Sequence, residues 1–117
     1  MMLSGDGKLL RIFVGEIDKV GHQPLYEALV RRAKEMGLAG ATVLRGVESF
    51  GARSRVHTAK ILRLSEDLPI IVEIVDTEEK IKTFLPVVDE LFEKANCGGL
   101  VTMEKAEIIK YVHGNKP

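Results

Sequence analysis

The sequence predicts an α+β domain of ferredoxin-like type, a βαββαβ sandwich with an antiparallel sheet and a long loop between strands two and three. Three observations predict it. Strand patterns stand at Leu9–Ile17 and Leu68–Val75. Apolar residues recur at three- and four-residue spacing after Pro24 and again after Thr77. Glycines separate the segments, so the two kinds of pattern read in the order strand, helix, strand, strand, helix, strand.

In the first strand Leu10, Ile12 and Val14 share one face, and Leu9, Arg11 and Phe13 share the other. Pro24 suits the first turn of a helix whose stripe is Leu25, Ala28, Leu29, Ala33 and Met36, with Gly37 as its left-handed end. Gly40 turns the chain into a second strand, Ala41–Val47. Residues 48–66 read as a long excursion, with Thr58–Leu64 extended, and long loops in compact domains usually serve function. The third strand is apolar on both faces except at Glu73, which reads as facing an interface or solvent. The second helix starts at Asp76 or Thr77, either of which can cap it, and Glu79 can answer as the third residue of a capping box with Asp76. Its stripe is Ile81, Phe84, Leu85, Val88, Leu91 and Phe92, with a kink expected at Pro86. Gly98 and Gly99 lead into a last strand, Leu100–Val112, with a break near Glu104 and Lys105.

The 117 residues suffice for one domain, and 45% hydrophobic content supplies a core. Residues 1–7 read as a flexible N-terminal tail, 8–113 as the single domain and 114–117 as a C-terminal tail. With 17 basic and 17 acidic residues, no global charge recruits DNA, RNA or a membrane surface. The single Cys97 excludes an intramolecular disulfide framework and fits a reducing cytoplasm. No apolar run approaches the roughly 20 residues of a membrane helix. Two helices cover one face of a sheet, yet strands one and three are apolar on both, so the bare face calls for an oligomeric partner.

Any anion site is therefore local. From Arg45 to Arg63 the chain carries Arg45, Arg53, Arg55, Lys60 and Arg63 against Glu48, a charge of +4 in a neutral protein. Arginine suits bidentate phosphate recognition, and Gly46 and Gly51 allow close backbone approach. A solvated loop with idle arginines is the plain alternative. Gly98-Gly99 is a second candidate, as an anion-binding nest or as a plain turn. His22, His57 and His113 have no metal-ligand spacing, and Cys97 has no ligating neighbour, so no metal site is expected. There is no nucleophile elbow or phosphate-binding loop, and the spacing of Glu16 and Glu73 does not require a carboxylate pair. No catalytic set is found, and the chain reads as a non-enzyme.

Gly40-Ala41-Thr42-Val43, then Ser49-Phe50-Gly51, then His57-Thr58, followed by the strand Leu68–Asp76, resemble the PII signalling proteins. The likeness runs from Leu9 to Tyr111 and is similar to a PII-like branch rather than to the nitrogen regulators themselves. It implies a homotrimer with an adenine nucleotide in each cleft between subunits. Thr42, Gly51, Gly98 and Lys110 match the family's nucleotide-contacting positions. With the basic segment and its glycines, the expected nucleotide site is Thr42, Arg45, Phe50, Gly51, Arg53, Gly98, Gly99 and Lys110. Arg53 stands for the family's metal-serving glutamine, Gly99 for its lysine and Val112 for its second arginine. These departures weaken the case for magnesium ATP and 2-oxoglutarate and bring AMP and ADP forward. Ile61 replaces the modified loop tyrosine, which argues against uridylylation. No cofactor is expected beyond the regulatory nucleotide, and the loop is expected to signal to a partner such as a membrane transporter.

Three other readings compete. Ile12–Ile17 resembles the first-strand motif of RNA-recognition domains, but the third strand lacks stacking aromatics. An acylphosphatase-type hydrolase shares the fold, but Asn96 and Asn115 are poorly placed to position water. A structural trimer with no small-molecule ligand is the last.

Overall fold

The computed structural model describes residues 2–49, 57–58, 68–112 and 114. Along the chain lie β1 (Met2–Gly15), β2 (Lys19–Val20), β3 (Gln23–Pro24), α1 (Leu25–Glu35), β4 (Thr42–Arg45), β5 (Glu48–Ser49), β6 (His57–Thr58), β7 (Pro69–Asp76), α2 (Glu78–Ala95) and β8 (Leu100–Val112). The main sheet has the order β4-β7-β1-β8 with every pair antiparallel. This is the expected ferredoxin-like sandwich.

The alternating apolar residues of the two central strands make the core. Leu10, Ile12 and Val14 of β1 and Ile70, Val72 and Ile74 of β7 are buried against Leu25, Ala28, Leu29 and Ala33 of α1 and Ile81, Phe84, Val88 and Leu91 of α2. The α1 stripe agrees with the sequence, and Gly37 ends it at φ +79°. On α2, Val87 is buried while Leu85 and Phe92 are only partly covered. The helix runs through Pro86, whose missing N–H removes one ladder bond.

Three details differ from expectation. β1 starts at Met2, so residues read as a tail pair with β8, from Gly7↔Ala106 to Met2↔Val112. Polar Asp6 and Lys8 and two glycines hide this from a hydrophobic pattern, because the pairing is made by backbone. β8 runs unbroken through Glu104 and Lys105, which pair with Leu9 and Lys8. β4 is shorter than Ala41–Val47, and Glu48 and Ser49 pair with Thr58 and His57. Of the two caps the sequence allows for α2, the structure uses Thr77, whose hydroxyl accepts from Lys80 N–H at 3.3 Å. Asp76 is buried instead, accepting from Ala39 N–H at 2.8 Å and Thr77 N–H at 2.7 Å.

Both helices lie on one side of the sheet. The register puts Leu9, Arg11 and Phe13 of β1, Ile71, Glu73 and Val75 of β7, Thr42 and Leu44 of β4, and Leu100, Thr102 and Glu104 of β8 on the other. On this face Leu44, Val75 and Leu100 are exposed.

Candidate functional site

Beyond Lys8, which pairs with Asp76 at the end of β7, the strands β1 and β8 continue as a two-stranded ribbon. A register shift between Leu3 and Gly5 marks a bulge, a feature that bends such a ribbon. The far end of β8 meets the segment between α1 and β4, where the Tyr111 hydroxyl donates to Ala39 O at 2.6 Å. The N–H of Ala39 is held from the other side by the buried carboxylate of Asp76. The strand entering Thr42 is thereby clamped on both of its polar groups.

Between the ribbon and the bare sheet face lies an open groove of about 640 Å³, lined by Thr42, Glu73, Val75, Ile108, Lys110 and Tyr111 among others. It unites two expected site residues, Thr42 and Lys110. An apolar wall (Val75, Ile108), a hydroxyl and an ammonium suit a planar ligand with a polar or anionic arm. Glu73, Val75 and Tyr111 were not among the expected site residues. Glu73 stood out as the polar exception in its strand, but nothing in sequence spacing brings Tyr111 to Ala39.

Glu73 is not free in the groove. It accepts from Arg11 Nε at 2.9 Å, and Arg11 Nη1 donates to Glu104 at 2.8 Å. The hydrogen bond that Arg11 donates to Glu73, aided by the charge of Glu104, raises the Arg11 pKa above its ordinary value despite some desolvation. This triad ties β7, β1 and β8 together at the middle of the bare face.

Arg45, Gly98 and Gly99 lie elsewhere. Arg45 pairs across the ladder with Ile70, next to Gly46, whose N–H donates to Pro69 O at 2.8 Å. Its guanidinium forms an ion pair with Glu16. Glu16 and Glu73 each bind an arginine and do not form a carboxylate pair. Gly98 and Gly99 precede β8, opposite Phe13, at the same end of the sheet as Arg45 but on the other outer strand. Three strand spacings, roughly 14 Å, separate those edges. Gly99 has a packing reason, since a Cβ there would stand 2.6 Å from Phe13 O and 2.7 Å from the Phe92 ring. Gly98 has nothing within 4 Å of such an atom. Phe50, Gly51 and Arg53, with Arg55, Lys60 and Arg63, fall outside the described residues.

Cys97 contacts Asp18, and burial, followed by the charge and hydrogen bond of that carboxylate, pushes its thiol up to about 11. It is a protonated, poorly nucleophilic thiol at neutral pH. Among the described residues no group of three His, Cys, Asp or Glu is arranged to hold a metal ion, and no helix is long and apolar enough to cross a membrane.

The sequence matches the DUF190 family, described as Uncharacterized ACR, over residues 7–108. It is 45% identical to a UPF0166 protein of Aquifex aeolicus over 102 residues, covering 87% of this chain and 92% of the relative. It is 36% identical to a UPF0166 protein of Methanocaldococcus jannaschii over 103 residues, covering 88% and 92%. Among solved structures it superposes on CPII, a nitrogen regulatory PII-like protein from Thiomonas intermedia K12 bound to ADP, AMP and bicarbonate. That match has a TM-score of 0.68 at 17% identity, with 92% of this chain and 91% of the other covered. At this identity the likeness is one of fold.

Proposed function

The chain belongs to the DUF190 family and has the fold of PII-like proteins, and on that premise we propose that it is a regulatory protein that binds an adenine nucleotide between the subunits of a homotrimer. It signals by altering the surface of the long connection after β4 to a partner protein, such as a membrane transporter, and is a cytoplasmic sensor rather than a catalyst.

The observation that carries this reading is the division of the expected site within one protomer. Thr42, level with Glu73 in mid-sheet, and Lys110, on the ribbon beyond it, line the groove, whereas Arg45, Gly98 and Gly99 lie toward the opposite end of the sheet. One subunit alone cannot close all of them on one small ligand. Two subunits can, with the groove of one set against the end of the next that carries Gly98-Gly99 and, on the helix side of β4, Arg45. The bare face is suited to that contact, because Leu9, Phe13, Ile71, Leu44 and Leu100 surround an ion triad already satisfied within the protomer. Phe50, Gly51 and Arg53 complete the proposed site by sequence position. CPII, with the same fold, binds ADP and AMP, which supports an adenine nucleotide here.

RNA binding is less well supported. The middle of the bare sheet holds Glu73 and Glu104, and Arg11 is consumed by them, which disfavours a polyanion on that face.

Mixed trimers test the shared cleft. Lys110→Glu disables the groove half, and Gly98→Glu disables the other half. Each homotrimer should lose nucleotide binding, and refolding the two together should restore a fraction of it in clefts built from two intact halves. Loss of binding in every mixture would remove the shared-cleft reading.

A further inference from the structure

Glu16 and Arg45 face each other where the chain leaves the sheet after β4 and returns to β7. Both are mounted on fixed backbone. Glu16 N–H donates to Leu68 O at 2.8 Å, and the turn behind it is closed by Asp18, whose carboxylate accepts from Gly15 N–H at 2.8 Å. Arg45 is held by its ladder partner Ile70 and by the Gly46 N–H bond to Pro69 O at 2.8 Å. Both charges are therefore anchored to the sheet through their backbones and meet as an ion pair. The Glu16 side chain is 22% exposed and that of Arg45 57%, so the guanidinium offers N–H groups to solvent while its other side meets the carboxylate.

An anion arriving at Arg45 therefore binds beside a resident negative charge. The guanidinium attracts it, and the carboxylate repels it in proportion to its charge. We propose that Glu16 is a specificity-determining residue of the anion site, which lowers affinity progressively as ligand charge rises and so favours AMP over ADP and ADP over ATP. This rests on Arg45 being a phosphate contact of the site proposed above, and adds to it the residue that ranks the ligands. An ordinary surface ion pair would stabilise the ends of the connection a little and leave ligand preference unchanged.

The test is the variant Glu16→Gln, which keeps shape and hydrogen-bonding capacity but removes the charge. Affinities for AMP, ADP and ATP are measured by calorimetry at low salt and without magnesium, so that ligand charge is not neutralised. The expected result is a graded gain, about two- to threefold larger for each added charge, smallest for AMP and largest for ATP. Glu90→Gln, on α2 where the carboxylate pairs with Arg32 and Lys94, removes one carboxylate elsewhere and should leave all three affinities unchanged. An equal gain for the three nucleotides, no gain, or weaker binding would overturn the role of Glu16 while leaving nucleotide binding itself intact. Absence of binding in both wild type and variant would instead remove the nucleotide reading, and this inference with it.

Discussion

Gly98 and Gly99 are neighbours with different duties. Gly99 fits only because it has no Cβ to meet Phe13 O and the Phe92 ring, whereas Gly98 borders open space. Gly99→Ala should push the start of β8 from α2 and lower stability by about 1–3 kcal/mol in urea unfolding, while Gly98→Ala should change it little. An equal effect of the two would refute the packing account of Gly99. The glycine pair was legible in sequence, but the contact that distinguishes its members lies across the fold at Phe13 and Phe92. The same holds at Cys97. With its thiol pushed up to about 11 by burial and by Asp18, the cysteine should react with a disulfide reagent far more slowly than a free thiol at pH 8, and Asp18→Asn should speed it. Fast labelling of the folded wild type would contradict that environment.

At the scale of elements, α2 has the plainest sequence signature and the most assignable energetics. Its cap is the Thr77 hydroxyl, so Thr77→Ala should cost about 1 kcal/mol. Asp76→Ala should cost more, about 1–3 kcal/mol, because it leaves the Ala39 N–H without its acceptor and frees the segment entering Thr42. If Asp76→Ala proved as mild as a surface change, the clamp would carry no weight. Hydrogen bonds from Lys82 and Lys94 hold Glu78 and Glu90 below the usual carboxylate range. A lowered pKa stabilises the fold above the unfolded-state value, and that contribution is lost as pH falls through the folded one. Acidification through the carboxylate range should therefore weaken α2, though only slightly, since both groups are exposed. The helices were readable because one face must be buried every 3.6 residues. The ribbon of β1 and β8 was not, because Gly5, Asp6 and Gly7 contribute backbone bonds and no apolar stripe. For the same reason the groove that the ribbon builds was only half visible, through Thr42 and Lys110, and not through Tyr111.

At the scale of the molecule, one sheet face is sealed by two helices and the other is left bare around the Arg11 triad. A monomer keeps Leu44 and Leu100 in water, and the proposed assembly would remove them from it. Phe13→Glu adds an unpaired charge there and should turn a trimer of the 12.9 kDa chain into monomers in sedimentation, with the helical signal retained. A trimer that tolerated Phe13→Glu would direct the assembly to another surface. That the central strands are apolar on both faces was legible in the sequence, and the structure leaves one of those faces bare. Which edge of one subunit meets which end of another was not, since sequence patterns record burial and not the identity of the covering chain.

The central claim is that the assembled protein binds an adenine nucleotide in a cleft shared by two subunits. Titration calorimetry of the purified protein with AMP and ADP, paired with sedimentation of the same sample, tests it most directly. The account predicts a trimer with one saturable site per subunit, and a rise in thermal stability equivalent to about 2.7 kcal/mol at a hundredfold excess over Kd. A trimer that takes up neither nucleotide, or a monomer that binds with full affinity, would contradict it.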